Sequence, residues 1–459
     1  MRVGIEDLAF YVPNIYLSIE DFGQARNIEV MKLKKGLGLE KMALPDYGED
    51  AATMAANSLI RLFDQNNLNP AEIGRIYLGT ESALDSAKPT ATYALEMLQE
   101  YLEPKFGKDS CTHIDCVDMT FACIGAIDAL QNTVDWVKAG KNRKGIIIAS
   151  DYAKYELESS GEYTQGAGAV AALVSNNPKL VEFSTEWAVS TKSVHDFFKP
   201  RRKTNFSDLK DGASLKKELE TTETYLEEFR ETPVFDGQFS NKCYEDRMTE
   251  AYNRFETENG FGLEKMDHLV FHLPYAFHGR RIISSIFLEN FKKNNELTAL
   301  ENEIGIKEDE QGFLRAVTKS STYKKFVSSK IAHGDKASSE VGNMYTASIF
   351  MALMSTLSHL SEENAGNEIG FIAYGSGSKS KVFSAKLAAG FTSQVANWNL
   401  FETLDERSAI TFEEYEKLHT CNIGNSLRSS KSHFILKDVK KDGLVGERIY
   451  LKVNVLETV

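Results

Sequence analysis

Three residues, each at the end of an apolar run, carry the chemistry this sequence offers. Cys123 lies in Met119-Thr120-Phe121-Ala122-Cys123-Ile124-Gly125-Ala126, where a strand-like run meets a helical one. A thiol at a helix N-terminus feels the positive end of the dipole, which favours thiolate and makes a nucleophile. The same position suits a small buried Cys at a helix start. His272 closes Leu269-Val270-Phe271-His272 and is followed by Leu273-Pro274-Tyr275, so the chain must leave the strand there. Open α/β sheets carry their sites at the carboxyl ends of strands, where a His serves as acid or base, or merely caps a loop. Glu81 ends Leu78-Gly79-Thr80-Glu81-Ser82. A carboxylate in an apolar setting holds its proton more tightly and suits a base for a carbon acid, although a solvated loop Glu is the commoner fate.

Two glycine-rich stretches join this set: Gln165-Gly166-Ala167-Gly168-Ala169 and Tyr374-Gly375-Ser376-Gly377-Ser378-Lys379-Ser380. Neither has the spacing of a Walker loop or a dinucleotide fingerprint. Glycines still let a backbone N–H approach a substrate oxyanion. Cys, His, Glu and glycine loops on one scaffold point to acyl transfer through a thioester. His268 and His272, and Cys111 with Cys116, fall in strand-like segments rather than on a helix or a Cys-x-x-Cys knuckle, so no metal is expected.

The elements that must position these groups alternate. Arg75 to Gly79, Thr112 to Asp118, Gly145 to Ser150 and Ala167 to Val174 read as strands, and Ile127, Leu130, Val134 and Val137 recur at helical spacing before Lys138 and Gly140. After a polar stretch the alternation resumes with Leu269 to His272, a helix over Tyr345 to Leu360, and strands at Ile369 to Ala373 and Ile449 to Leu451. Strands alternating with helices predict an α/β layered fold. The spacing predicts two α/β halves, 1–190 with Glu81 and Cys123 and 259–459 with His272 and the second glycine loop. Between them, 191–258 reads as a charged insertion packed over a domain, with no core of its own.

At 459 residues, 42% hydrophobic and 26% charged, the chain is long enough to bury a large core without disulfides or metals. Its 53 Lys and Arg against 66 Asp and Glu give a net charge of −13, so no global field draws nucleic acid or an anionic membrane. Five cysteines, an odd and sparse set, suit a reducing compartment. No window approaches the ~18 unbroken apolar residues of a spanning helix, and the acidic pair Glu6-Asp7 interrupts any secretory signal, so a cytoplasmic location is expected.

The order of motifs resembles that of the 3-hydroxy-3-methylglutaryl-CoA synthases, thiolase-fold condensing enzymes, nearly end to end. It is carried by Gly36-Leu37-Gly38-Leu39-Glu40-Lys41-Met42, Gly79-Thr80-Glu81-Ser82, Ala122-Cys123, Thr164-Gln165-Gly166-Ala167-Gly168-Ala169-Val170, Asp196-Phe197-Phe198-Lys199-Pro200, Asp236-Gly237, Phe271-His272-Leu273-Pro274-Tyr275, Gly342-Asn343-Met344-Tyr345-Thr346 and Tyr374-Gly375-Ser376-Gly377. The resemblance implies a thiolase-like fold of two pseudo-symmetric halves in an αβαβα arrangement, usually a homodimer. It implies that Cys123 takes an acetyl group from acetyl-CoA, Glu81 deprotonates the acetyl methyl, and His272 orients the ketone of acetoacetyl-CoA. It further implies that Asn343 sits near the acetoacetyl carbonyl and that the Ser376 N–H, with that of Cys123, forms the oxyanion site. Thr164 and Ser240 match substrate-contacting hydroxyls, and Asp151, Asp196 and Tyr345 match supporting positions. CoA thioesters enter as substrates, with no cofactor.

One position departs from the pattern. Phe277 stands where the family carries a Lys that helps hold CoA, while Arg281 matches a second basic position. Arg280 and Arg281 are then the expected CoA-phosphate contacts, since Arg is a good bidentate phosphate partner. Alternatively the acyl donor rides on an acyl carrier protein, as in relatives that install β-branches in polyketides. A silent scaffold of the same fold is the third reading, and the intact Glu–Cys–His set argues against it.

Overall fold

Successive isoleucines on one strand show how the layers form: Ile147 packs with Ile127, Leu130 and Val134, while Ile146 and Ile148 point the other way, towards Leu59 and Leu98. A strand apolar on both faces must be covered on both. In the computed structural model, which describes residues 2–305 and 309–453, this strand belongs to a mixed sheet of nine. Those strands are β1 (Gly4–Tyr11), β2 (Ile73–Gly79), β3 (Asp115–Met119), β4 (Lys144–Ala153), β5 (Gly166–Ser175), β6 (Val181–Thr191), β7 (His268–Phe271), β8 (Glu368–Gly375) and β9 (Lys379–Leu387). Their order is β7-β8-β9-β6-β1-β5-β4-β2-β3.

That order contains the same motif twice. From β1 the neighbours β5 and β4 run antiparallel in turn and β2 then pairs parallel to β4; from β6, β9 and β8 do the same and β7 pairs parallel to β8. The halves meet where Gly4 and Ile5 of β1 pair with Glu182 and Val181 of β6. Helices α1 (Ala51–Asn66) and α2 (Thr90–Phe106) cover the outer face of the first half. Helix α3 (Gly125–Lys138) lies between the halves: it packs on β2 and β4, and its Asp128 pairs with Lys379 and Lys381 of β9. Its stripe of Ile127, Leu130, Val134 and Val137 is wholly buried, each side chain worth about 1.5–3 kcal/mol. This is the layered, two-half α/β arrangement expected from the motif order.

The expected boundaries shift in two places. The second half begins with β6, inside the segment assigned to the first. The charged stretch 191–258 is also not all insertion, because its last third is α4 (Gly237–Asn259), capped by Asp236 and packed on β6, β9 and β8. Cys243, Tyr244, Met248, Ala251, Tyr252 and Phe255 enter the main core at helical spacing. This helix is the second half's counterpart of α1. Counting charge obscured it, since only one face is buried and the other carries the charges. What remains of the insertion is two short strand pairs, Phe197–Phe198 with Val234–Phe235 and Arg202–Asn205 with Tyr225–Glu228, and one small helix. Elsewhere, residues 112–114 form a turn and the strand there runs Asp115–Met119, and the helix expected from Tyr345 starts at Ser348 as α5 (Ser348–Leu357) after one 3₁₀ turn.

Candidate active site

The Cys123 loop joins β3 to α3 and is built on tight approaches. Ala122 has φ +38°, and a Cβ on Gly79, the last residue of β2, would stand 2.1 Å from the Ala126 nitrogen. Only glycine lets the end of β2 meet the start of α3 so closely. The approach carries Glu81, two residues beyond Gly79, to the nucleophile: Cys123 Sγ donates to Glu81 Oε1 at 2.8 Å. Burial raises the Glu81 pKa to about 7, with the Lys199 ammonium pulling it down and the Asp151 charge pushing it up. Burial also drives the Cys123 thiol well above its usual value, and the Glu81 carboxylate adds to this. The thiolate expected from the helix start is thus opposed by the surroundings. Above pH about 7 the pair is a thiol donating to a carboxylate, since burial holds the proton on sulfur more strongly than on Glu81.

Asp151, on β4 and fully buried, organises this corner. One carboxylate oxygen accepts from Thr80 Oγ1 (2.9 Å), the Glu81 N–H (2.7 Å) and Ser82 Oγ (3.0 Å); the other accepts from the Thr346 N–H (3.0 Å) and hydroxyl (2.5 Å). It therefore ties the Glu81 loop of the first half to the 343–348 segment of the second. Lys199 of the insertion donates to the Glu81 carbonyl at 3.2 Å and sits 4.9 Å from the Tyr345 ring centre.

His272 leaves β7 into the same cleft, 2% exposed. Its Nδ1 is 2.6 Å from Ser348 Oγ, and that hydroxyl lies 2.9 Å from the Tyr345 carbonyl, which can only accept. The Ser348 proton therefore points to Tyr345 and its oxygen accepts from His272 Nδ1–H, assigning the tautomer with the Nε2 lone pair free. Burial lowers the His272 pKa to about 3, so the ring is neutral.

The glycine loop after β8 is held by Asp196, whose buried carboxylate accepts from Tyr374 OH (2.7 Å), the Gly377 N–H (2.7 Å) and Ser240 Oγ (3.3 Å). Ser376 then faces the cleft beside Cys123. The cleft, about 770 Å³, brings together Cys123, His272, Asn343, Ser376, Thr164 and Ser240. Asn343 Oδ1 accepts from the Tyr345 N–H (2.9 Å), which leaves its NH₂ end for a ligand. The Thr164 hydroxyl donates to Gly161 O (2.7 Å). Tyr345 has φ +43° and packs against Tyr155 and Phe197. Glu81 lines a second cavity of about 670 Å³ rather than the main cleft, which it meets through its contact with Cys123.

The two arginines part company. Arg281 is exposed, lines the cleft mouth and donates to Gly36 O at 2.6 Å. Arg280, expected to share its role, turns away into an ion pair with Asp335, its Nε 2.9 Å from Oδ2. Both lie on the short helix His278–Ile282, where neighbouring residues point about 100° apart, so one faces the cleft and the other the core. Phe277 sits beneath the Arg280 guanidinium (3.8 Å) and against Gly38, where a Cβ would meet its ring at 2.4 Å. It packs the mouth loop in place of a cation. Of the metal-like spacings, His268 turns to Asn367 and His272 to Ser348, so the pair does not converge.

Sequence reasoning missed Ser348, which is the second polar residue past Tyr345 and was hidden at the start of a helical run. It also missed Tyr244 and Tyr374, whose rings stack at 4.2 Å behind His272. A helical-period reading of 237–259 would have exposed Tyr244.

Two family models match the chain: the N-terminal model of hydroxymethylglutaryl-coenzyme A synthase over residues 1–179 and the C-terminal model over 227–452. The chain is 29% identical over 437 residues to hydroxymethylglutaryl-CoA synthase of Haloferax volcanii, covering 91% of each. It is 27% identical over 418 residues to that of Enterococcus faecalis, again covering 91% of each. Among solved structures it resembles MvaS in complex with 3-hydroxy-3-methylglutaryl coenzyme A, with TM-score 0.80, 26% identity and 99% of each chain covered. The fold is also that of the HMG synthase of the curacin biosynthetic pathway in complex with acetyl donor-ACP, with TM-score 0.76 and 20% identity over 99% of this chain and 100% of that one.

Proposed function

We propose, from the premise that this chain belongs to the hydroxymethylglutaryl-coenzyme A synthase family, that it condenses acetyl-CoA with acetoacetyl-CoA and water to give 3-hydroxy-3-methylglutaryl-CoA and CoA, a step of the mevalonate pathway. The observation that carries the reading is the 2.8 Å contact of Glu81 Oε1 with the Sγ of Cys123, which lines the same cleft as His272.

Cys123 attacks the acetyl thioester, its proton passing to Glu81; the departing CoA thiolate takes that proton and leaves as a thiol. Glu81, again a carboxylate, removes a proton from the acetyl methyl, and the carbanion adds to the acetoacetyl ketone. The N–H groups of Ser376 and Cys123 meet the oxyanions, Asn343 meets the acceptor carbonyl, and Asp151 and Asp196 hold the two loops. His272, neutral and with no proton on Nε2, stands beside the ketone and takes up the proton that Glu81 gained from the acetyl methyl, passing it to the new alkoxide so that the oxygen becomes a hydroxyl and Glu81 a carboxylate again. Water then cleaves the Cys123 thioester. Arg281 meets the CoA phosphates. A homodimer, a cytoplasmic location and no cofactor complete the proposal; no helix among the described residues is long and apolar enough to cross a membrane.

Phe277 favours a second reading, in which the acetyl donor is carried on an acyl carrier protein, because it removes a cation expected for CoA. Mass spectrometry after incubation with acetyl-CoA separates the two. An acetyl adduct that disappears in Cys123→Ala supports the first, and an adduct formed only with an acetylated carrier protein overturns it.

A further inference from the structure

His278 opens the helix His278–Ile282 and is 1% exposed, yet among the described residues neither ring nitrogen has a hydrogen-bond partner. Buried polar groups are nearly always paired, so a doubly unpaired imidazole on a cavity wall points to a group that arrives from outside. It lines the cleft that holds Cys123 and His272. Its ring is edge-on to Tyr275 at 4.8 Å and tilted against Tyr244 at 4.9 Å, with Tyr244 in turn 6.1 Å from His272 and Arg281 5.6 Å over Tyr275. The ring thus stands between the reacting end and the cationic mouth. Burial, with His272 and Arg281 adding to the effect, lowers its pKa to about 3, so it is neutral and offers one N–H. A neutral donor suits a carbonyl rather than a phosphate.

We infer that His278 is a further specificity-determining residue, whose imidazole N–H is donated to the thioester-side carbonyl of the β-ketoacyl acceptor while the ketone faces His272. The inference rests on the condensing reading above. The acceptor has two carbonyls where the donor has one, so His278 acts in the second half-reaction. Every acyl thioester carries that carbonyl, so discrimination lies in its placement: an acyl group whose thioester does not stand two carbons from the carbon under attack leaves the buried donor unpaired.

The test compares His278→Leu and His278→Gln with the wild type in acceptor KM for acetoacetyl-CoA, Cys123 acetylation by acetyl-CoA, and melting temperature. His278→Leu should raise acceptor KM at least tenfold while the acetyl-CoA concentration for half-maximal acetylation moves less than threefold. His278→Gln, which keeps a donor, should recover most of the loss. The melting temperature of His278→Leu should match or exceed the wild type, because two unpaired buried nitrogens are removed. Acceptor KM within threefold of wild type, an equal rise for donor and acceptor, or a Gln variant no better than Leu overturns the inference. A wild-type protein that neither acetylates nor condenses overturns the underlying reading instead, which is a separate result.

Discussion

Cys123 and Glu81, 42 positions apart, share a hydrogen bond of 2.8 Å across the junction of β2 and α3. The contact makes one carboxylate available to both half-reactions: it can receive the thiol proton first and the methyl proton second. Burial is what allows this, since it raises the proton affinity of both groups together.

The two uses are not equally demanding, because a thiol is far more acidic than an acetyl methyl. Glu81→Ala should retain acetylation of Cys123 by acetyl-CoA, detected by mass spectrometry, while product formation falls about 10²–10⁴-fold, the worth of a positioned base. Condensation at wild-type rate in this variant would remove Glu81 from the role.

A base with a pKa of about 7 must be ionised to act, so condensation should fall as pH drops below about 7. Lys199 holds that pKa down. Lys199→Met should therefore move the acid limb of the kcat/KM profile to higher pH; an unmoved or lowered limb would show that Lys199 does not act on Glu81.

Ser348 holds the His272 tautomer. Ser348→Ala leaves the buried Nδ1–H without the hydroxyl that accepts it, while the Tyr345 carbonyl keeps the backbone N–H of residue 348, a stability cost of about 1–3 kcal/mol, readable by denaturant titration. Product formation should fall at least tenfold more than Cys123 acetylation does. Equal losses in both half-reactions would mean that the serine supports only the fold.

Arg280 and Arg281 should separate cleanly. Arg280→Met strips a buried partner from Asp335 and should lower stability by about 3 kcal/mol, with KM for CoA esters little changed. Arg281→Glu should leave the melting temperature in place and raise KM for CoA esters about tenfold. The reverse pattern would return the phosphate role to Arg280.

Much of the architecture was legible because it is local. The stripe Ile127, Leu130, Val134 and Val137 is a helix whatever it packs on, and Leu78-Gly79-Thr80-Glu81 is a strand running out into a loop wherever the sheet lies. Helix α4 was not legible from composition: its buried residues are few per turn, and only the surface of β6, β9 and β8 tells which face is core. The same holds for β6, whose outer positions are polar.

By itself the sequence determined which residue types end which elements, and so that a thiol, an imidazole and a carboxylate would gather at strand ends of an α/β protein. Tertiary structure alone decided their states and partners. Adjacent arginines took different faces of one helical turn, Phe277 filled a cation's place with packing, and burial turned an expected thiolate into a thiol bound to Glu81. Such outcomes depend on desolvation and on groups distant in the chain: His272 meets Ser348 only once the second half has folded, and Asp151 meets Thr346 only once the two halves have closed on each other.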